Sequence, residues 1–114
     1  MKSMRGNVMK LGEKQIEKIY KHVDLGNKQI VMLDVMGDKS VSISEKLANI
    51  YCIDQEKNII WQVSEIKTKP PYDNDGFVYL SKNDQGKIIA DRFSGFTYEI
   101  NPDTGEATRT GFHK

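Results

Sequence analysis

The chain has 114 residues, of which 38% are hydrophobic and 29% charged, and its formal net charge is +1. That length supports one core and buries roughly two-thirds of the unfolded surface without help from metals or disulfides, while the near-balanced charge speaks against a dedicated nucleic-acid binder. A lone cysteine, Cys52, excludes an internal disulfide and a four-cysteine zinc site.

From the start of the chain, residues 1–12 lack periodicity and are expected to form a flexible N-terminus ahead of a single β-rich domain over 13–114. The first ten residues are basic but no apolar stretch follows, and the longest apolar run, Ile30–Leu33, is far too short for a bilayer. The expectation is a cytoplasmic protein with no membrane contact. Ile16, Ile19, Tyr20 and Val23 fall at i, i+3, i+4, i+7, which predicts one short N-terminal helix over 14–24, although the same aliphatics also suit a strand. Leu25-Gly26-Asn27 supplies a stop.

Beyond that point the period changes from helical to alternating. Lys28–Val35 reads as a strand, Met36–Lys39 as a turn, Ser40–Ile43 as a second strand, and Ser44–Leu47 as a connection of about one helical turn. Three hairpins follow: Asn49–Asp54 with Asn58–Ser64, Phe77–Ser81 with Lys87–Arg92, and Phe96–Asn101 with Glu106–Thr110. Their turns carry Asn, Asp, Pro and Gly, the residues that preset or tolerate the backbone angles of a reversal. Pro70-Pro71 bars the connector 65–76 from a central strand. The fold class predicted is mainly β: an antiparallel meander of about eight short strands, as a small sandwich or partly open barrel.

Charge is unevenly spread. Residues 1–21 hold six cations against two acids, and residues 73–106 hold seven acids against three cations. These charges either solvate strand faces and turns or form an acidic patch complementary to a basic partner.

The catalytic inventory is thin. His22 and His113 would serve as an acid–base pair only if the fold joined them. Cys52, between Tyr51 and Ile53, reads as a small buried hydrophobe unless a base activates it. Asp73-Asn74-Asp75-Gly76 opens like a calcium loop, yet the twelfth position is Asp84 rather than Glu and a predicted strand intervenes, so a polar turn explains it. No metal and no cofactor are expected. Trp61 reads either as a core ring whose indole N–H needs a partner or as an exposed binding anchor. Phe77, Tyr79, Phe93, Phe96 and Tyr98 divide in the same way.

Offset by 47 residues, the first hairpin superposes on the third: Tyr51 on Tyr98, Ile53 on Ile100, Asp54 on Asn101, Asn58 on Gly105. Ile50-Tyr51-Cys52-Ile53-Asp54 with Asn58-Ile59-Ile60-Trp61-Gln62-Val63 resembles a hairpin of quinoprotein-type β-propeller blades, with Cys52 at the usual Ala and Asn58 at the usual Gly. The chain has residues for two blades at most, whereas a propeller needs about four. Over residues 26–114, the order of that hairpin, the Pro-Pro connector, Phe77-Val78-Tyr79-Leu80, Gly86-Lys87-Ile88-Ile89-Ala90 and Phe93–Gly105 resembles small bacterial β-rich proteins. Some of these are immunity proteins of contact-dependent or other polymorphic toxin systems. The resemblance implies a cytoplasmic, non-enzymatic inhibitor that binds one cognate toxin domain, a nuclease by expectation, and occludes its active site. The candidate docking residues are Tyr72, Asp73, Asp75, Tyr79, Asp84, Asp91, Glu99 and Asp103. The alternative is a non-enzymatic ligand-binding or scaffold module with no toxin partner, and a third reading is a hydrolase using His22 or His113.

Overall fold

A computed structural model describes residues 9–35, 37–64 and 76–112. In chain order these form α1 (Glu13–Glu17), β1 (Ile19–Asp24), β2 (Lys28–Leu33), α2 (Ile43–Leu47), β3 (Ile50–Asp54), β4 (Ile59–Gln62), β5 (Phe77–Lys82), β6 (Ile88–Arg92), β7 (Phe96–Ile100) and β8 (Ala107–Phe112). Two antiparallel four-stranded sheets, β1-β2-β3-β4 and β5-β6-β7-β8, run as successive meanders. They stack as a sandwich, not as a closed barrel.

The alternating pattern explains the stacking. Ile30, Met32, Ile50, Cys52 and Trp61 of the first sheet meet Phe77, Leu80, Ile88, Tyr98 and Ile100 of the second in one continuous core. The first sheet is apolar on its other face as well. There Val31, Leu33, Tyr51 and Ile53 pack beneath Leu11, Ile16 and Val41. Buried on both faces, β3 is apolar at nearly every position, with all of Ile50–Ile53 buried.

Two local expectations change. The helix expected over 14–24 ends at Glu17, and Ile19–Asp24 is a strand. In β1, Ile19 and Lys21 pair with the consecutive residues Leu33 and Met32, so Tyr20 is an extra, bulged residue. The bulge switches strand parity, sending Ile19 to the outer cluster and Val23 to the inter-sheet core. Apolar residues four apart thus mimic a helical stripe. The strand expected at Ser40–Ile43 is likewise absent: Ser42 caps α2, its hydroxyl accepting from the Glu45 N–H at 3.1 Å. A Ser-x-x-Glu start outcompetes β propensity here.

Met9–Gly12, expected within the flexible start, is paired. Lys10 bridges Asn58, the Leu11 N–H donates to Lys57 O at 3.0 Å, and Leu11 is 4% exposed. Residue for residue, the 47-residue repeat does place hairpins at the same position in each sheet, but Tyr51 faces the outer cluster and Tyr98 the inter-sheet core. It is a repeat of hairpin chemistry, not of packing.

Each of the four edge strands carries one bulge, with Tyr20 in β1, Ile60 in β4, Val78 in β5 and Thr110 in β8 as the extra residue. A bulge twists an edge out of the flat geometry that strand addition needs.

Candidate functional site: the outer face of the second sheet

The first sheet's outer face is covered by the N-terminal segment and the short helices. The second sheet presents the opposite face of the sandwich. Because Phe77, Leu80, Ile88, Ala90, Tyr98 and Ile100 point into the core, the alternate residues point outward. Tyr79 lies opposite Asp91, Asp91 opposite Thr97, and Ile89 opposite Glu99. Three of the eight predicted residues, Tyr79, Asp91 and Glu99, therefore share one face.

Asp84 and Asp103 sit in the β5–β6 and β7–β8 turns, at the same end of that sheet. Asn83 shapes the first turn, its side-chain oxygen accepting from the Gln85 and Lys87 N–H groups at 3.0 and 2.9 Å. Asn101 does the same in the second, accepting from the Asp103 N–H at 2.8 Å. Tyr72, Asp73 and Asp75 lie outside the described residues, as does His113.

Glu99 and Asp103 line one shallow depression of about 470 Å³ together with Glu106, with Asn101, Pro102 and Thr108 between them. Three carboxylates thus rim a single concavity. Their internal partners are weak: Lys87 Nζ is 3.6 Å from Glu99 and Lys28 Nζ is 3.7 Å from Asp103, whose side chain is 84% exposed. Exposed pairs of this kind contribute roughly 0–1 kcal/mol. Further along the face the polar atoms change character. Among the described residues, Asp91 Oδ1 and Thr97 Oγ1 are buried without a hydrogen-bond partner, and Thr97 is 8% exposed.

Glu106 was not among the predicted residues. The available signal was its position directly after Gly105, closing the turn that carries Asp103. Of the aromatics, Tyr79 and Phe93 are exposed, whereas Phe77 and Tyr98 are buried in edge-to-face contact at 5.6 Å. Trp61 is a core ring whose Nε1–H donates to Pro102 O at 2.9 Å. It thereby anchors the turn bearing Asp103 from beneath.

The other candidate chemistries are placed as follows. Cys52 is fully buried in β3, and burial pushes its thiol above the ordinary value, away from a reactive thiolate. His22 is exposed on β1, opposite Val31. Among the described residues, no three His, Cys, Asp or Glu side chains are grouped to hold a metal ion, and no helix is long and apolar enough to cross a membrane.

A family model described as a domain of unknown function, DUF7957, matches residues 1–112. No curated protein and no solved structure matches the chain.

Proposed function

Starting from the chain's membership of the DUF7957 family, a domain of unknown function, we propose that this protein is a non-enzymatic, immunity-type binding protein of the cytoplasm. It docks the second sheet's outer face and adjoining turns on the positively charged cleft of a cognate toxin domain, one to one, and occludes it. The observation that carries this reading is the convergence of Glu99, Asp103 and Glu106 on one depression, with long ion pairs of 3.6 and 3.7 Å as the competition among the described residues. Carboxylates so arranged mimic the phosphates that a nuclease cleft attracts. They steer encounter and fix orientation, while an exposed aromatic such as Tyr79, at 45% exposure, supplies contact area.

The test is coexpression with the toxin-like domain encoded by the adjacent gene, followed by stopped-flow binding and a growth-protection assay. The triple variant Glu99→Lys, Asp103→Lys, Glu106→Lys is expected to slow association about tenfold or more at low salt and to abolish its salt dependence, with the melting temperature unchanged. An unchanged association rate, or no binding to such a neighbour, would overturn the reading.

A further inference from the structure

The two acid-bearing turns at the end of the second sheet are held in different ways. In the β5–β6 turn, which carries Asp84, the hydrogen bonds among the described residues all close within residues 83–87. The Asn83 N–H donates to Lys87 O, the Gly86 N–H to Asn83 O, and the Gln85 and Lys87 N–H groups to Asn83 Oδ1. The β7–β8 turn, which carries Asp103 and Glu106, has local bonds of the same kind, such as the Gly105 N–H to Asn101 O at 2.8 Å. It is also gripped from the first sheet. Pro102 O accepts from two donors there, the Trp61 Nε1–H at 2.9 Å and the Lys28 ammonium at 3.3 Å. Gly105 packs on the Trp61 indole, and its carbonyl accepts from the Ser64 N–H at 3.2 Å. The Ala107 N–H donates back to Ser64 Oγ at 3.4 Å. Lys28 opens β2, Trp61 lies in β4 and Ser64 follows it. Two strands of one sheet therefore fix a turn of the other on both sides of Asp103.

We infer that Lys28 and Trp61 are positioning residues for the recognition site: they hold the β7–β8 turn rigid from the opposite sheet, so that Asp103 and Glu106 meet a basic protein partner already in place, whereas Asp84 rides on a turn tied only to itself. The inference rests on the proposed function in taking the partner to be a basic protein. It adds which of the two acidic turns carries the lifetime of the complex, and which residues of the first sheet make it do so. A group whose backbone is fixed beforehand loses less freedom on docking. Charge sets the rate of encounter, and this saving appears in the rate of dissociation. Lys28 acts on the side chain as well, since its ammonium lies 3.7 Å from Asp103 Oδ1.

Two measurements test it. In the free protein, backbone heteronuclear NOE values at Asp103, Thr104 and Glu106 are expected to match those of β7 and to exceed those at Asp84 and Gln85. Trp61→Phe, which keeps a ring but has no N–H, and Lys28→Met are each expected to lower the values at 103–106 and to leave those at 84–85 unchanged. Equal mobility of the two turns in the parent, or no change in either variant, would overturn the inference. The second measurement is stopped-flow binding to the toxin domain across salt concentrations. Both variants are expected to dissociate about fivefold faster or more, while association keeps its salt dependence because all three carboxylates remain. Lys28→Arg, which keeps a cationic donor, is expected to restore the parental dissociation rate. A merely structural role would lower the melting temperature and leave dissociation at the parental rate in both variants, which also overturns the inference. If the NOE differences appear but no toxin domain binds, the grip of Lys28 and Trp61 on the turn stands and the proposed function falls alone. If a toxin domain binds with the expected salt dependence while both variants dissociate like the parent, the positioning assignment falls alone.

Discussion

Gly105 sits at φ +81° directly over the indole of Trp61, and a Cβ built there would stand 2.5 Å from Cε3 and 2.7 Å from Cδ2. Both the left-handed backbone and the close approach demand glycine. The variant Gly105→Ala is expected to lose about 2 kcal/mol or more. The fluorescence of Trp61, the only tryptophan in the chain, is expected to shift to the red as the ring is displaced toward water; denaturant titration read by fluorescence checks both. The turn chemistry here was legible in Pro102-Asp103-Thr104-Gly105. That Trp61 lies beneath it was not, because the two are joined only by tertiary packing and by a hydrogen bond spanning 41 residues.

Among the elements, the connector from β2 to α2 is tied to the start of β1 by one ion pair, Lys18 to Asp38. The Lys18 ammonium, with the Ser40 hydroxyl and backbone N–H, holds the Asp38 carboxyl well below the usual carboxylate range, and Asp38 in turn raises Lys18. A depressed carboxylate means that the unfolded chain binds protons more readily than the folded one. Its stabilisation is therefore full above the ordinary carboxylate pKa of about 4 and is lost progressively as the pH falls through and below it. Asp38→Asn is expected to be less stable than the parent at pH 7, with the difference narrowing below about pH 4; paired thermal melts across that range check it. On the covered face of the same sheet, burial and the Glu45 carboxylate push the Tyr51 hydroxyl up to about 12. This contribution has the opposite sense, present below the ordinary tyrosine value and lost as the pH rises toward 12. Element assignment from periodicity failed only where a bulge or a cap intervened. At β1 the parity switch at Tyr20 imitated a helix, and at 40–43 the Ser42 cap overrode the strand pattern.

For the molecule as a whole, a buried amide adds a polar tie between the two sheets beside the apolar core they share. Asn49, fully buried, donates from Nδ2 to Leu33 O at 2.8 Å and to Phe77 O at 2.9 Å, and its Oδ1 accepts from the Phe77 N–H at 3.0 Å. It ties the end of β2 to the start of β5, across the core that both sheets share. Removing it would leave three buried backbone groups without this partner, so Asn49→Ala is expected to cost roughly 3 kcal/mol or more. With one core serving both sheets, the parent is expected to unfold in a single transition by circular dichroism and by fluorescence alike. Separate transitions for the two probes would contradict the shared core.

Local chemistry alone determined that this protein is β-rich. It also determined where its hairpins turn and that acids outnumber cations between residues 73 and 106, since turn residues and charge are written within a few neighbouring positions. The tertiary structure decided that two sheets stack instead of closing into a barrel, that Glu106 joins Glu99 and Asp103, and that Lys28 and Trp61 reach the turn bearing Asp103. These depend on strand register and on bulges, and one inserted residue reverses every side chain beyond it; no local pattern records on which strand that residue is accommodated.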